Sequence, residues 1–252
     1  MSDITTQAVE TAAKALEDQL SLLGPDERLA MKPVVDLLLK DRTVPASTRK
    51  SNHGAFPGGL IVHTHRVWRI LVGMSKGALD ASYDYLNHTH PLVNDPAVLA
   101  EERKAVTEAS MFKVAVIHDL NKIQDVSGCP HYVPNILKSG SRSEAVPWEV
   151  NKESGLLQSV HKSALVELGL WTKPPGWWLD VLHGEGIQVR DGLLSIAVAK
   201  GVSPTLNLTP QERNAIIYHD GAYAGRQGLQ DSESLLQILL HASDLICARL
   251  LC

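Results

Sequence analysis

Apolar residues in this chain recur at three- and four-residue steps, and that period limits its fold more than any other feature. Val9, Ala12, Ala13, Leu16, Leu20 and Leu23 line one face of an amphipathic helix. Gly24 stops it, and Pro25 opens a second helix where a missing N–H costs nothing, with Asp26 and Glu27 in the favourable first turn. The second helix carries Leu29, Val34, Val35, Leu37, Leu38 and Leu39, with Pro33 as a place to kink. The Pro, Gly and Ser content of residues 41–59 reads as a loop. A third helix is expected from Leu60 to about Met74, and a long one from Asp95 to Ile123. Residues 124–147 show no clear period and form a long irregular segment of the kind that serves function. Further helices are expected over 151–169, 176–186, 209–219 and 232–251, with Thr209 capping Pro210, Gln211 and Glu212. The one short strand pattern is Gln188 to Arg190. The expectation is an all-α fold, a helical bundle with long irregular insertions.

Composition narrows the function classes. A formal net charge of −4 makes the chain a poor non-specific binder of nucleic acid, which draws on dense Lys and Arg. No run reaches about 18 apolar residues, so no membrane span is expected. Residues 1–23 are polar and acidic and lack the pattern of a signal peptide. Three cysteines without C-x-x-C spacing fit a cytoplasmic protein.

Eleven histidines stand out by their placement. Three segments set His or Asp where a helix interior would be apolar: Leu60-Ile61-Val62-His63, Val114-Ala115-Val116-Ile117-His118-Asp119, and Leu239-Leu240-His241-Ala242-Ser243-Asp244-Leu245-Ile246. A buried carboxylate must be paired or coordinate a metal. One divalent cation held by His63, His118, Asp119 and Asp244 would satisfy all of them. His161 and His219, on other apolar-faced helices, are the natural ligands of a second ion, to which Asp119 offers its other oxygen. Mixed N/O ligation admits Mn²⁺, Fe²⁺, Ni²⁺, Co²⁺, Zn²⁺ or Mg²⁺.

The order H…HD…H…H…D resembles the HD superfamily of metal-dependent phosphohydrolases. His53-Gly54-Ala55-Phe56-Pro57-Gly58-Gly59-Leu60-Ile61-Val62-His63-Thr64 is similar to the H-x-A-[YF]-x-G-G-L-L-x-H-[ST] segment of two branches, the HD-type 3′–5′ exoribonucleases and the HD-type conjugative relaxases. His118-Asp119-Leu120-Asn121-Lys122-Ile123 resembles their HD-[IL]-G-K-[IV]. Tyr218-His219-Asp220-Gly221 resembles S-H-H-G, and Leu240-His241-Ala242-Ser243-Asp244 resembles L-H-x-A-D. The resemblance covers residues 53–251. It implies an HD-type domain over 51–252, preceded by a helical extension over 1–50 in place of the exoribonucleases' OB fold. It also implies one or two divalent ions held by His63, His118, Asp119, Asp244, His161 and His219.

Two departures bear on mechanism. Asp220 stands where the second His of H-H-G would be, and would serve as an oxygen ligand or general base. The missing OB platform makes processive RNA degradation less attractive. The function expected is hydrolysis of a phosphate ester, of a nucleotide or similar small molecule, through a metal-activated water. Asp119, Lys122 and Asp220 are the catalytic candidates, and Lys122, Arg66, His131, Lys138 and Arg142 the substrate contacts. A nuclease acting on single-stranded RNA or DNA is the nearest alternative, and a di-iron oxygenase the next. The apolar tail around Leu250 and Leu251 suggests a homodimer.

Overall fold

A computed structural model describes residues 3–47, 54–89, 96–126, 128, 130–134, 148–150, 157–159, 171–172, 191–220 and 234–250. Over these the chain is all-α. Eight α-helices are described: α1 (Asp3–Gln19), α2 (Pro25–Lys40), α3 (Gly59–Thr89), α4 (Pro96–Ala105), α5 (Glu108–Ile117), α6 (Asp191–Val202), α7 (Pro210–Ile217) and α8 (Leu235–Leu250). Extended pairing among the described residues is confined to short pieces. Val133–Pro134 pairs antiparallel with Trp171–Thr172, and Trp148–Val150 with Leu157–Ser159. Gln124 also bridges Pro130.

Helix α3 packs against α1, α5 and α8, and α7 against α5, α6 and α8. Val9, Ala12, Ala13 and Leu16 of α1 are buried in the same cluster as Leu60, Ile61, Val67 and Leu71 of α3. Phe112 and Val114–Ile117 of α5 and Leu236, Leu239 and Leu240 of α8 complete it. The apolar face read from the first helix is thus the face that docks on α3. Pro33 lies within an unbroken α2.

The loop before α3 is held by backbone contacts. Ala46 N donates to Gly54 O at 2.9 Å, and Leu60 N to Val44 O at 3.2 Å. A Cβ on Gly59 would stand 1.9 Å from Gly54 O, so only glycine lets the chain pass there and start α3 on time. Beneath the core, Lys113 of α5 is buried yet ion-paired with Glu212 at 2.6 Å and Glu27 at 2.8 Å. Glu212 also closes the capping box of α7 with Thr209, as expected from Thr209-Pro210.

Four expectations are corrected. The long helix over 95–123 is two helices and a 3-10 turn. Thr107 caps α5, accepting from Ser110 N at 3.0 Å, and the chain leaves the α-helix after Ile117. Within the helix expected over 151–169, Leu157–Ser159 form a strand, and the rest of that range lies outside the described residues. The third helix runs past Met74 to Thr89. A helix not expected, α6, occupies 191–202. The helix expected over 176–186 and the strand over 188–190 lie outside the described residues, as do the side chains of Leu250 and Leu251.

Candidate metal centre

The site is assembled where three helices end or begin and one passes by. His63 stands in the first turns of α3, and His118 and Asp119 follow α5 directly. His219 and Asp220 follow α7, and Asp244 stands in α8. His63, His118, Asp119 and His219 are buried. His63 Nε2 lies 3.3 Å from His118 Nε2, 3.3 Å from Asp119 Oδ2 and 3.1 Å from Asp244 Oδ1. His118 Nε2 lies 3.4 Å from Asp119 Oδ2 and 3.9 Å from Asp244 Oδ1. Donors held by one ion at about 2.1 Å stand about 3.0 Å apart as octahedral neighbours and about 3.4 Å apart in a tetrahedron. The separations among His63, His118 and Asp119 are those of a ligand set around a common centre, so these three fit a divalent cation, with Asp244 Oδ1 beside His63.

The imidazoles are turned for it. His118 Nδ1 donates to Ala115 O at 2.7 Å, and His219 Nδ1 to Ile216 O at 2.7 Å. A carbonyl can only accept, so each Nδ1 carries a proton, and it is Nε2 that faces the cluster, with its lone pair free whenever the ring is neutral. Behind His63 the partner is sulfur, with Cys247 Sγ 3.3 Å from Nδ1. His241, next to the site on α8, donates from Nδ1 to His219 O at 2.6 Å and ties the end of α7 to α8.

A second group lies alongside. His219, Asp220 and Asp244 offer ligand atoms within 4.8 Å of one another. His219 Nε2 is 3.7 Å from the other oxygen of Asp119, Oδ1, and 3.5 Å from Asp220 Oδ1. Asp119 therefore turns one oxygen toward each group. His161, the other expected ligand of a second ion, lies outside the described residues, as do Lys138 and Arg142.

Electrostatics follow from burial and partners. Burial alone would raise the Asp119 carboxyl, but Lys122, His118, His219 and His63 hold it well below its ordinary value. Asp244 is likewise held down against its burial, by His63 and His118. Burial pushes His118 down to about 4, only partly offset by Asp119. For His219 burial is outweighed by Asp119, Asp220 and Asp244, which raise it to about 9. His63 is raised in the same way by Asp119, Asp244 and Cys247.

The expected substrate contacts fall in different places. Lys122 sits at the cluster, with Nζ 2.5 Å from Asp119 Oδ2. His131 is buried beneath the turn, its Nδ1 donating to Asn121 O at 2.9 Å and its ring edge-on to Tyr132. Arg66 lines a cleft between α1 and α3. Side-chain exposure shows where the cluster opens: 42% at Asp220, 20% at Asp244 and 18% at Lys122, against 6% or less at His63, His118, Asp119 and His219.

One supporting residue has no counterpart in the sequence reading. Ser195, fully buried in α6, donates to His118 O at 2.8 Å and accepts from Asn121 N at 3.1 Å. Its hydroxyl also meets the Asn121 side-chain amide at 2.9 Å. It satisfies the backbone left open where α5 ends, and so fixes the turn that aims Asp119 and Lys122. The signal was there: Ser195 is a polar residue inside the apolar run Leu193-Leu194-Ser195-Ile196-Ala197-Val198, like Asp244 in its own helix.

A scan against protein-family models and searches of the curated proteins and of the solved structures found no significant match. The chain is a helical protein with a buried His/Asp cluster suited to a metal ion.

Proposed function

We propose that the cluster holds one or two divalent cations and that the protein is a phosphohydrolase of the HD type, acting on a nucleotide or a similar small phosphate ester. The observation that carries this reading is the convergence of His63 Nε2, His118 Nε2 and Asp119 Oδ2 to within 3.3–3.4 Å of one another, with Asp244 Oδ1 3.1 Å from His63 Nε2. The resemblance of four ordered segments to the HD pattern supports it. A divalent cation bound there would supply Lewis acidity toward a phosphoryl oxygen and a lowered pKa for water.

The chain's own residues supply the rest. His63, His118, Asp119 and Asp244 would hold the first ion, and His219 and Asp220, with the second oxygen of Asp119, the second. The second group is richer in carboxylate oxygen than an H-H-G pair would make it, which favours a harder ion there, Mn²⁺ or Mg²⁺ over Zn²⁺. Lys122 stands at the open edge, where its ammonium can pass from Asp119 to a phosphoryl oxygen. Asp220, the most exposed carboxylate of the cluster, would keep its second oxygen free to accept a proton from water. The apolar wall behind His118 excludes solvent from the other side.

The test is metal analysis of the purified protein, then turnover of nucleotides, oligonucleotides and a generic phosphodiester with Mn²⁺, Mg²⁺ and Fe²⁺. His118→Ala and Asp119→Ala are expected to lose metal and turnover together while the helical circular dichroism persists. Full turnover in both variants would end this reading. Turnover of oligonucleotides alone would select the nuclease, and O₂ consumption with bound iron the oxygenase.

A further inference from the structure

Each imidazole at the cluster is braced from behind, and one brace differs in kind. His118 and His219 follow their helices, where the last carbonyls have no helical N–H to accept from. Their Nδ1 atoms donate to two of these carbonyls, Ala115 O and Ile216 O, both at 2.7 Å. His63 stands instead in the first turns of α3, where the carbonyls one turn back serve the helix's own ladder. Its Nδ1 meets a side chain of another helix, with Cys247 Sγ of α8 at 3.3 Å.

The placement of Cys247 is tied to that of a candidate ligand. Asp244 and Cys247 are three residues apart on α8, so both side chains leave one face of that helix. Asp244 Oδ1 stands 3.1 Å from His63 Nε2 and Cys247 Sγ 3.3 Å from Nδ1, so α8 grips the ring at both nitrogens. Cys247 is buried, and its Sγ also lies 3.9 Å from His63 O, to which a thiol can donate weakly.

We infer that Cys247 is the positioning residue of His63: its sulfur accepts the Nδ1 proton and so holds Nε2 toward the cluster as a neutral ligand. The inference rests on the metal reading above and concerns how one ligand of that site is aimed. Coordination through Nε2 leaves the one proton of a neutral ring on Nδ1, where burial demands an acceptor. A cysteine that merely filled space would be indifferent to whether its replacement can accept a hydrogen bond.

The Mn²⁺ affinity of the full chain, followed by the electron paramagnetic resonance of the free ion, tests it in Cys247→Ala and Cys247→Ser. These variants have nearly equal volume and differ by one hydroxyl. Cys247→Ala is expected to bind about tenfold more weakly than the wild type, the low end for a ligand that loses its hydrogen-bond partner. Cys247→Ser, whose oxygen can accept from Nδ1, is expected to recover most of that loss. Affinity unchanged in Cys247→Ala, or lowered as much in Cys247→Ser, would overturn the inference and leave the metal centre standing. No Mn²⁺ binding by the wild type, or binding undiminished in His118→Ala, would instead end the metal reading and the inference with it.

Discussion

Protons and a cation compete for the same nitrogen atoms. In the metal-free protein His219 is raised to about 9, so at pH 7 it carries a proton on Nε2, facing Asp119, and the carboxylates around His63 raise it in the same direction. His118, pushed down to about 4, is already neutral. A histidine whose pKa rises on folding stabilises the fold fully below its ordinary value of 6.5. For His219 that contribution fades as the pH climbs through about 9. Coordination needs the neutral ring, so a cation entering at pH 7 must displace these protons. Calorimetry of Mn²⁺ binding in buffers of different ionisation enthalpy should therefore show release of about one to two protons at pH 7, dwindling above pH 9. A heat that does not depend on the buffer would mean that the ion binds elsewhere.

Close approach of backbones is what the helices share, and Gly192 shows it. A Cβ there would stand 2.0 Å from Ile216 O of α7, so α6 can lie against α7 only without a side chain. Helix propensity alone favours alanine over glycine by about 1 kcal/mol. The contact with rigid backbone outweighs it. Gly192→Ala is expected to lose about 1–3 kcal/mol of stability, read as a lower urea midpoint at unchanged slope. Because α6 carries Ser195, the same variant should also loosen the turn after Ile117.

The same elements show what could be read from the chain. His63, His118, Asp119, His219 and Asp244 were legible because each interrupts an apolar run, and burial of a charge demands an explanation. α6 was missed because it is apolar nearly all round: Leu194, Ile196, Val198 and Ala199 are buried on more than one side, and no face repeats. The break between α4 and α5 was missed because Thr107 looks like one polar residue in a helical run until its hydroxyl is seen to cap Ser110. Arg66 was read as a neighbour of His63 by its spacing of one turn. That spacing does not say which cleft the side chain borders, and here it is the one between α1 and α3.

At the scale of the molecule, the cluster gathers positions 63, 118, 119, 219, 220 and 244 from four helices that are far apart in sequence. A cation held there is a reversible cross-link between α3, α5, α7 and α8, and it binds the folded chain alone. By mass action, free metal at a hundred times its dissociation constant would add about 2.7 kcal/mol to stability. The unfolding temperature is therefore expected to climb with Mn²⁺ concentration and fall on adding a chelator, and Asp119→Ala should flatten both responses. In a cell, such a chain would be longest-lived where its ion is abundant, and scarcity of the metal would be felt first as proteolysis.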